Sequence, residues 1–257
     1  MTKTTTQKLK KIAENVLYPL LAVGLILAIW AIVAKVKNKP LILPMPDKPI
    51  TQFFELFSTR EFWVSISGSL WRTLACFSLA FVSAFIFATV GGVFKPFART
   101  MSPIVSILRS VPTMAVILIA MIWIDADGAP ILIGFLVAFP LLYQSIYTSI
   151  TTVDKSLVEM TKVYKVGIAD RVRYLYLPSI APSLFDVSRS SISLTLKVVI
   201  AAEVLAYTKK SIGFSMQSAN LTFDVSLLLA WTLTAVVLSF LLEGAVALLK
   251  KLWEARK

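Results

Sequence analysis

Lys197 and Glu203 lie inside a run long enough to span a membrane, residues 188–207. A charge at bilayer depth costs at least about 2.5–3.5 kcal/mol on insertion scales, so each needs a partner or a task. Their spacing puts them on different sides of one helix, which argues against a pair between them. Asp186, Ser190, Ser193 and Lys197 recur every three or four residues and fall on one helical face. That stripe either walls an aqueous path, with Lys197 meeting an anionic solute, or packs helix against helix, with the serines close-packed and Lys197 bonded to a neighbouring carbonyl or carboxylate. Ser190, Ser193, Lys197 and Glu203 are the translocation-path candidates. Arg109 stands one turn into another apolar run, where its side chain can snorkel to the inner interface. Asp125 and Asp127 are one close pair of carboxylates. They read as a solvated turn closed by Gly128 rather than as an acid–base pair or a metal site.

Other chemistry is excluded by composition. The chain has no histidine, which removes a Ser-His-Asp triad, a Cys-His pair and imidazole-ligated zinc. Its single cysteine, Cys76, allows no intrachain disulfide and no thiolate cluster. No G-x-x-x-x-G-K stretch is present, so ATP hydrolysis by this chain is not expected. The expectation is no catalytic residue, no metal and no cofactor in this chain.

The 257 residues are 57% hydrophobic, against about 45–50% for a soluble domain. The net charge of +12 does not point to nucleic acid, because Lys and Arg fall mainly between long apolar runs, where headgroups and the orientation rule account for them. About 20 apolar residues cross a bilayer core, and six runs qualify: 16–34, 73–94, 103–124, 130–150, 188–207 and 225–249. The first follows Lys8, Lys10 and Lys11 as a signal peptide would, but it is long for one and lacks a clear cleavage site; it reads as an uncleaved span. More Lys and Arg fall on the side shared by both termini, which places both in the cytoplasm, although the first outer loop is itself fairly basic. The fold expected is an all-α membrane protein of six transmembrane helices in one domain, 1–257. It comprises a tail and first span (1–34), a five-span core (66–250) and a long inner loop between spans 4 and 5 (151–187). In the first outer loop ILPMPDKP breaks helix; Ile50, Phe53, Phe54 and Phe57 then recur at helical spacing, as in a helix lying at the outer interface.

The inner loop holds EMTKVYKVGIADRVRYLYLPSIAP, residues 159–182. Met160, Tyr164, Ile168, Val172 and Leu175 make one apolar stripe, with Lys162, Lys165 and Arg173 largely on other faces. Pro178 and Pro182 are expected to stop the helix. The segment is too short and too charged to span. It either lies on anionic lipid or offers a helix to a groove on a cytosolic partner.

This stretch resembles the "EAA" signature of binding-protein-dependent ABC importer permeases: E-A-A, three residues, G, nine residues, I, one residue, L-P. Glu159 takes the E position, Met160 and Thr161 the two A positions, Leu175 the I position, and Leu177 with Pro178 the L-P; Lys165 stands where the family has Gly, with Gly167 two residues later. ILRSVPTMAVI (107–117) is similar to the family's L-R-x-x-P-x-x-A stretch, VIAAEVLA (199–206) to its A-E stretch, and SIGF (211–214) to the G-L-G that follows. ILPMP near Pro44 resembles the L-P-x-P of the nitrate/sulfonate/taurine branch. The likeness covers about residues 40–250.

The resemblance implies a type I, MetI-like permease subunit in a bacterial inner or plasma membrane. It would work as a homodimer with two cytosolic ABC ATPase subunits, which carry ATP and Mg, and with an extracytoplasmic substrate-binding protein docking near 44–63 and 209–220. The inner loop would be a coupling helix seated in an ATPase cleft, with Glu159, Lys162, Tyr164, Lys165, Gly167 and Ile168 as contact residues. Relatives carry sulfonates, taurine, nitrate, bicarbonate and vitamin precursors, so a small anionic or vitamin-like solute is implied. The alternative is a secondary transporter driven by an ion gradient; no internal repeat supports it, and the basic inner loop would then lack a purpose.

Overall fold

The structure is a computed structural model. It describes the backbone of residues 2–255 and the side chains of residues 17–255 other than those of Lys162, Ile168 and Ala169. The elements are α1 (Thr2–Lys37), α2 (Asp47–Leu56), α3 (Arg60–Val93), α4 (Lys95–Ser110), α5 (Thr113–Trp123), α6 (Ala129–Thr151), α7 (Lys155–Val163), α8 (Ile168–Arg171), a π-helical turn (Val172–Tyr176), α9 (Leu177–Ala206), α10 (Ile212–Leu221) and α11 (Val225–Glu254). The described residues contain no strand, as the sequence requires.

Among the described residues, four helices are long and apolar enough to cross a membrane: Leu17–Lys37 of α1, α3, α6 and α11. The third expected span is broken. α4 and α5 meet at 94° and count as a fifth crossing only if taken together. The break is local chemistry: Pro112 drives Val111 out of the helical region, to φ −68° and ψ 128°. The 30-residue α9 matches the spans in length but carries Arg189, Lys197 and Glu203 along the stretch that would cross.

The second span also departs from expectation. α3 begins at Arg60, capped by the Thr59 hydroxyl accepting from the Phe62 amide at 3.3 Å, so Arg72 is helical and buried rather than part of a loop. Ser65, Ser67 and Ser69 lie ahead of the span expected at 73–94. They are helical because Ser65 and Ser69 face other helices, not solvent.

The core is built on α3, α6 and α9. Cys76, Ala80, Ala84 and Ala88 recur every fourth residue on α3, all fully buried, and this small-residue stripe lets α3 approach α6 closely. Ala80, Ala84 and Ala88 pack with Phe139, Leu142, Tyr143 and Ile146 of α6, and Met101 and Val105 of α4 close that cluster. A second cluster joins Phe62, Leu196, Ile200, Ile212 and Trp231. A third packs Ile117 and Ala120 of α5 against Ile133 of α6 and Ala202 of α9. The interfacial helix read around Phe53 is α2, which packs on α11 through buried Phe53. By contrast, α1 exposes most of its described apolar side chains, those from Leu17 on; the Trp30 indole donates to the Pro44 carbonyl at 3.0 Å.

Candidate functional site

The charged segment, residues 159–182, is not the single helix its apolar stripe suggests. α7 ends in a left-handed residue, Lys165 at φ 52°. The Val166 amide reaches back to the Thr161 carbonyl at 2.9 Å, the six-to-one bond of a Schellman cap, while the Tyr164 amide keeps the ordinary helical bond to the Met160 carbonyl at 3.0 Å. Lys165 therefore adopts the conformation for which glycine is the usual residue, at the position where the resemblance has glycine. Arg171 braces the turn, its guanidinium donating to the Val166 carbonyl at 3.3 Å. The turn splits the stripe: Met160 lies on α7 and Tyr164 at its end, whereas Val172 and Leu175 lie beyond it in the π turn.

Nor do the prolines stop the helix. α8, the π turn and α9 run without interruption from Ile168 to Ala206. Pro178 falls in the first turn of α9. A proline inside an α-helix clashes with the carbonyl four residues back; here the preceding turn is widened, and the Leu177 amide bonds to the Val172 carbonyl. This joins the second half of the charged segment directly to the fifth expected span.

The segment's described surface is mixed. Glu159, Lys165 and Gly167 are exposed, as are Met160, Val163, Tyr164 and Tyr174, the last three by 70% or more. Arg173 lies over the Tyr174 ring at 5.5 Å. The side chains of Lys162 and Ile168 lie outside those described. At the start of α7, Asp154 accepts from the Ser156 hydroxyl at 2.8 Å and amide at 2.9 Å, and these bonds hold its carboxyl below the usual carboxylate range.

The path candidates separate in space. Asp186, Ser190, Leu194, Lys197 and Ala201 are exposed and form the open face of α9. Asp186 accepts from Lys250 of α11 at 2.7 Å, and the Ser190 hydroxyl donates to the Val187 carbonyl at 3.1 Å. Lys197 makes no hydrogen bond or ion pair with any described residue, so no carboxylate there neutralises it. Ser193 is 4% exposed and sits on the packed side.

Glu203 is wholly buried on the far side from that open face. It accepts from the Ser69 hydroxyl at 2.7 Å, the Gly213 amide at 3.3 Å and the Arg72 guanidinium at 3.4 Å. Ser69 in turn accepts from the Ile212 amide at 2.9 Å, and Arg72 donates to Asp127 at 2.6 Å. One network therefore ties α3, α9, the start of α10 and the turn between α5 and α6. Gly213 permits it, since a Cβ there would collide with the Glu203 side chain. Sequence reasoning passed over Arg72, Ser69 and the Asp127 contact; the available signal was the unpaired Glu203, which demands a buried cation or several donors.

Residues 84–254 match the family model "Binding-protein-dependent transport system inner membrane component". SsuC of Escherichia coli strain K12, a permease named for aliphatic sulfonates, is 26% identical over 236 residues, covering 91% of this chain and 89% of that protein. The taurine transport system permease protein TauC of the same organism is 25% identical over 240 residues, covering 89% and 86%. A chain of an inward-facing MetNI methionine ABC transporter shares the fold, with a TM-score of 0.59 at 17% identity over 73% of this chain and 94% of that one.

Proposed function

Because this chain belongs to the family of binding-protein-dependent transport system inner membrane components, a multi-pass ABC importer permease of the nitrate/sulfonate/taurine branch, we propose that it passes a small anionic solute through a homodimeric pathway. Movement is driven by two separate cytosolic ATPase subunits, with their ATP and Mg, and solute is delivered by an extracytoplasmic binding protein. The segment from Lys155 to Tyr176 is the coupling element, with Glu159, Lys162, Tyr164, Lys165, Gly167 and Ile168 as contacts. Six crossings with both termini inside put that segment in the cytoplasm; α9 is then the fifth.

One observation carries this reading. A segment too charged to cross a membrane keeps Val163, Tyr164 and Tyr174 more than two-thirds exposed, and exposed apolar side chains on such a segment suit a docking surface. Because α8 continues through the π turn into α9, a push delivered to α8 reaches α9 without passing a loop. The anionic solute is supported by the names of the relatives and by Lys197 on the open face of α9. The outer cleft of about 830 Å3 lined by Arg60, Lys209, Lys210 and Phe214 suits the docking role proposed for the outer loops. Glu203 holds the outer ends of the helices together rather than touching solute.

Uptake into cells or proteoliposomes carrying the whole complex tests the reading. Uptake should stop when ATP is depleted with the proton gradient intact, and persist when the gradient is collapsed with ATP present. The reverse pattern would establish the ion-gradient alternative.

A further inference from the structure

Arg109 stands at the end of α4, immediately before the 94° break. It lines one cleft with α6 residues from Leu141 to Ser149, over the part of that helix that leads to its Thr151 end, and a long side chain there still needs a compensating environment for its charge. Yet it makes no hydrogen bond or ion pair with any described residue. Broken backbone at membrane depth is tolerated where it is buried in protein or lines a water-filled cavity, and Val111 with Arg109 is exposed on the break. A guanidinium without a described partner and an interrupted helix therefore stand at one place.

The walls give that site a chemistry. On one side of Arg109 a cleft of about 280 Å3 is lined by Gln144, Ser145, Thr148, Ser149 and Ser183. These groups are hydroxyls and an amide, with no carboxylate. On the other side a second cleft of about 340 Å3 is lined chiefly by Val116, Ile133, Leu136, Val137 and Pro140. Arg109 and Leu141 belong to both. A guanidinium among hydroxyls selects an oxyanion, and the adjoining apolar cleft accommodates a short hydrocarbon tail.

We propose that Arg109, at the junction of these clefts, binds the oxyanion of a small organic anion in transit, with the hydroxyls of Ser145 and Thr148 beside it and the tail against Val116 and Val137. This deepens the permease reading and rests on it. An anionic lipid headgroup shares the chemistry and is the competing occupant.

The test is equilibrium binding of radiolabelled butanesulfonate to the full-length chain in phosphatidylcholine nanodiscs. It needs neither ATP nor partner subunits, so its outcome is separable from that of the uptake experiment. Saturable binding is expected, competed by other alkanesulfonates and not by butylammonium. Arg109→Gln should weaken it by about tenfold or more, the scale of a lost charge-assisted hydrogen bond, and Arg109→Lys by less. Val137→Trp should weaken butanesulfonate more than methanesulfonate. Circular dichroism and thermal unfolding of each variant show that the fold is intact. Absent binding, or equal binding by Arg109→Gln, overturns the proposal. It is also overturned if native mass spectrometry finds phosphatidylglycerol retained through Arg109 while butanesulfonate fails to bind.

Discussion

The Arg72 guanidinium bridges two carboxylates in unlike surroundings, Glu203 at 3.4 Å, wholly buried, and Asp127 at 2.6 Å, 72% exposed. Distance alone ranks the Asp127 bond first; solvent reverses the order. An exposed ion pair is worth about 0–1 kcal/mol, whereas removing one partner of a buried pair costs about 3–5 kcal/mol because the other charge stays desolvated. Arg72→Ala should therefore destabilise strongly, Glu203→Ala comparably, and Asp127→Asn by less than about 1 kcal/mol. Thermal unfolding in detergent checks this. Equal effects at Asp127 and Glu203 would show that the network is open to water and that burial is not its source of strength.

A second prediction concerns the left-handed turn at Lys165. For a residue with a Cβ that conformation costs roughly 1–2 kcal/mol, and glycine is free of the cost. Lys165→Gly should steady the end of α7, seen as slower hydrogen exchange at the Val166 amide, which bonds to Thr161. Lys165→Val should do the opposite. The proposed coupling role adds a charge test: Lys165→Glu with Arg173→Glu should insert normally but lose co-purification with the ATPase subunits. If the complex and its uptake are unchanged, the segment is not the contact.

Those two sites show what could be read from sequence. Apolar runs gave the helices because hydrophobic length is a local property, and the inner charged segment stood out for the same reason. The 94° break was present in sequence as Val111-Pro112, but hydropathy averages over a single proline. The split of the charged segment was hidden because Lys165 is a good helix former and its left-handed turn depends on backbone bonds to Thr161 and on Arg171. Pro178 misled in the other direction: a proline stops a helix unless the turn before it widens, and nothing local announces a π turn. Glu203 was legible as an oddity, its partners were not, since Ser69 and Arg72 lie more than 130 residues away.

The acid limb of stability at the inner segment follows from Asp154. Hydrogen bonds from Ser156 lower its folded pKa, so the stabilisation is present above the unfolded value of about 3.9 and is lost as pH falls through the lowered folded value. Protection of the first amides of α7 should stay level from neutral pH down to about 4 and then decline. Asp154→Asn should remove that decline while lowering protection at neutral pH. Hydrogen exchange as a function of pH reads both, and a loss of protection on the alkaline side would contradict the linkage.

Two glycines give a paired steric test of the helix contacts. At Gly213 an added Cβ would meet the Ile200 carbonyl oxygen and the Val204 amide nitrogen at 2.7 Å each, besides the Glu203 side chain. Backbone atoms cannot swing aside, so α10 must move away from α9, at the roughly 1–3 kcal/mol typical of overpacking. The same shift draws the Gly213 amide off Glu203. At Gly244 nothing lies within 4 Å, and only helix propensity is left to act, which favours alanine by about 0.8–1 kcal/mol. Gly213→Ala should thus lower the unfolding temperature while Gly244→Ala holds or raises it. Glu203→Gln in the Gly213→Ala background should add less than it does alone, because the two changes act on one contact. Full additivity in that double variant would mean that α10 tolerates the extra methyl without disturbing the buried carboxylate.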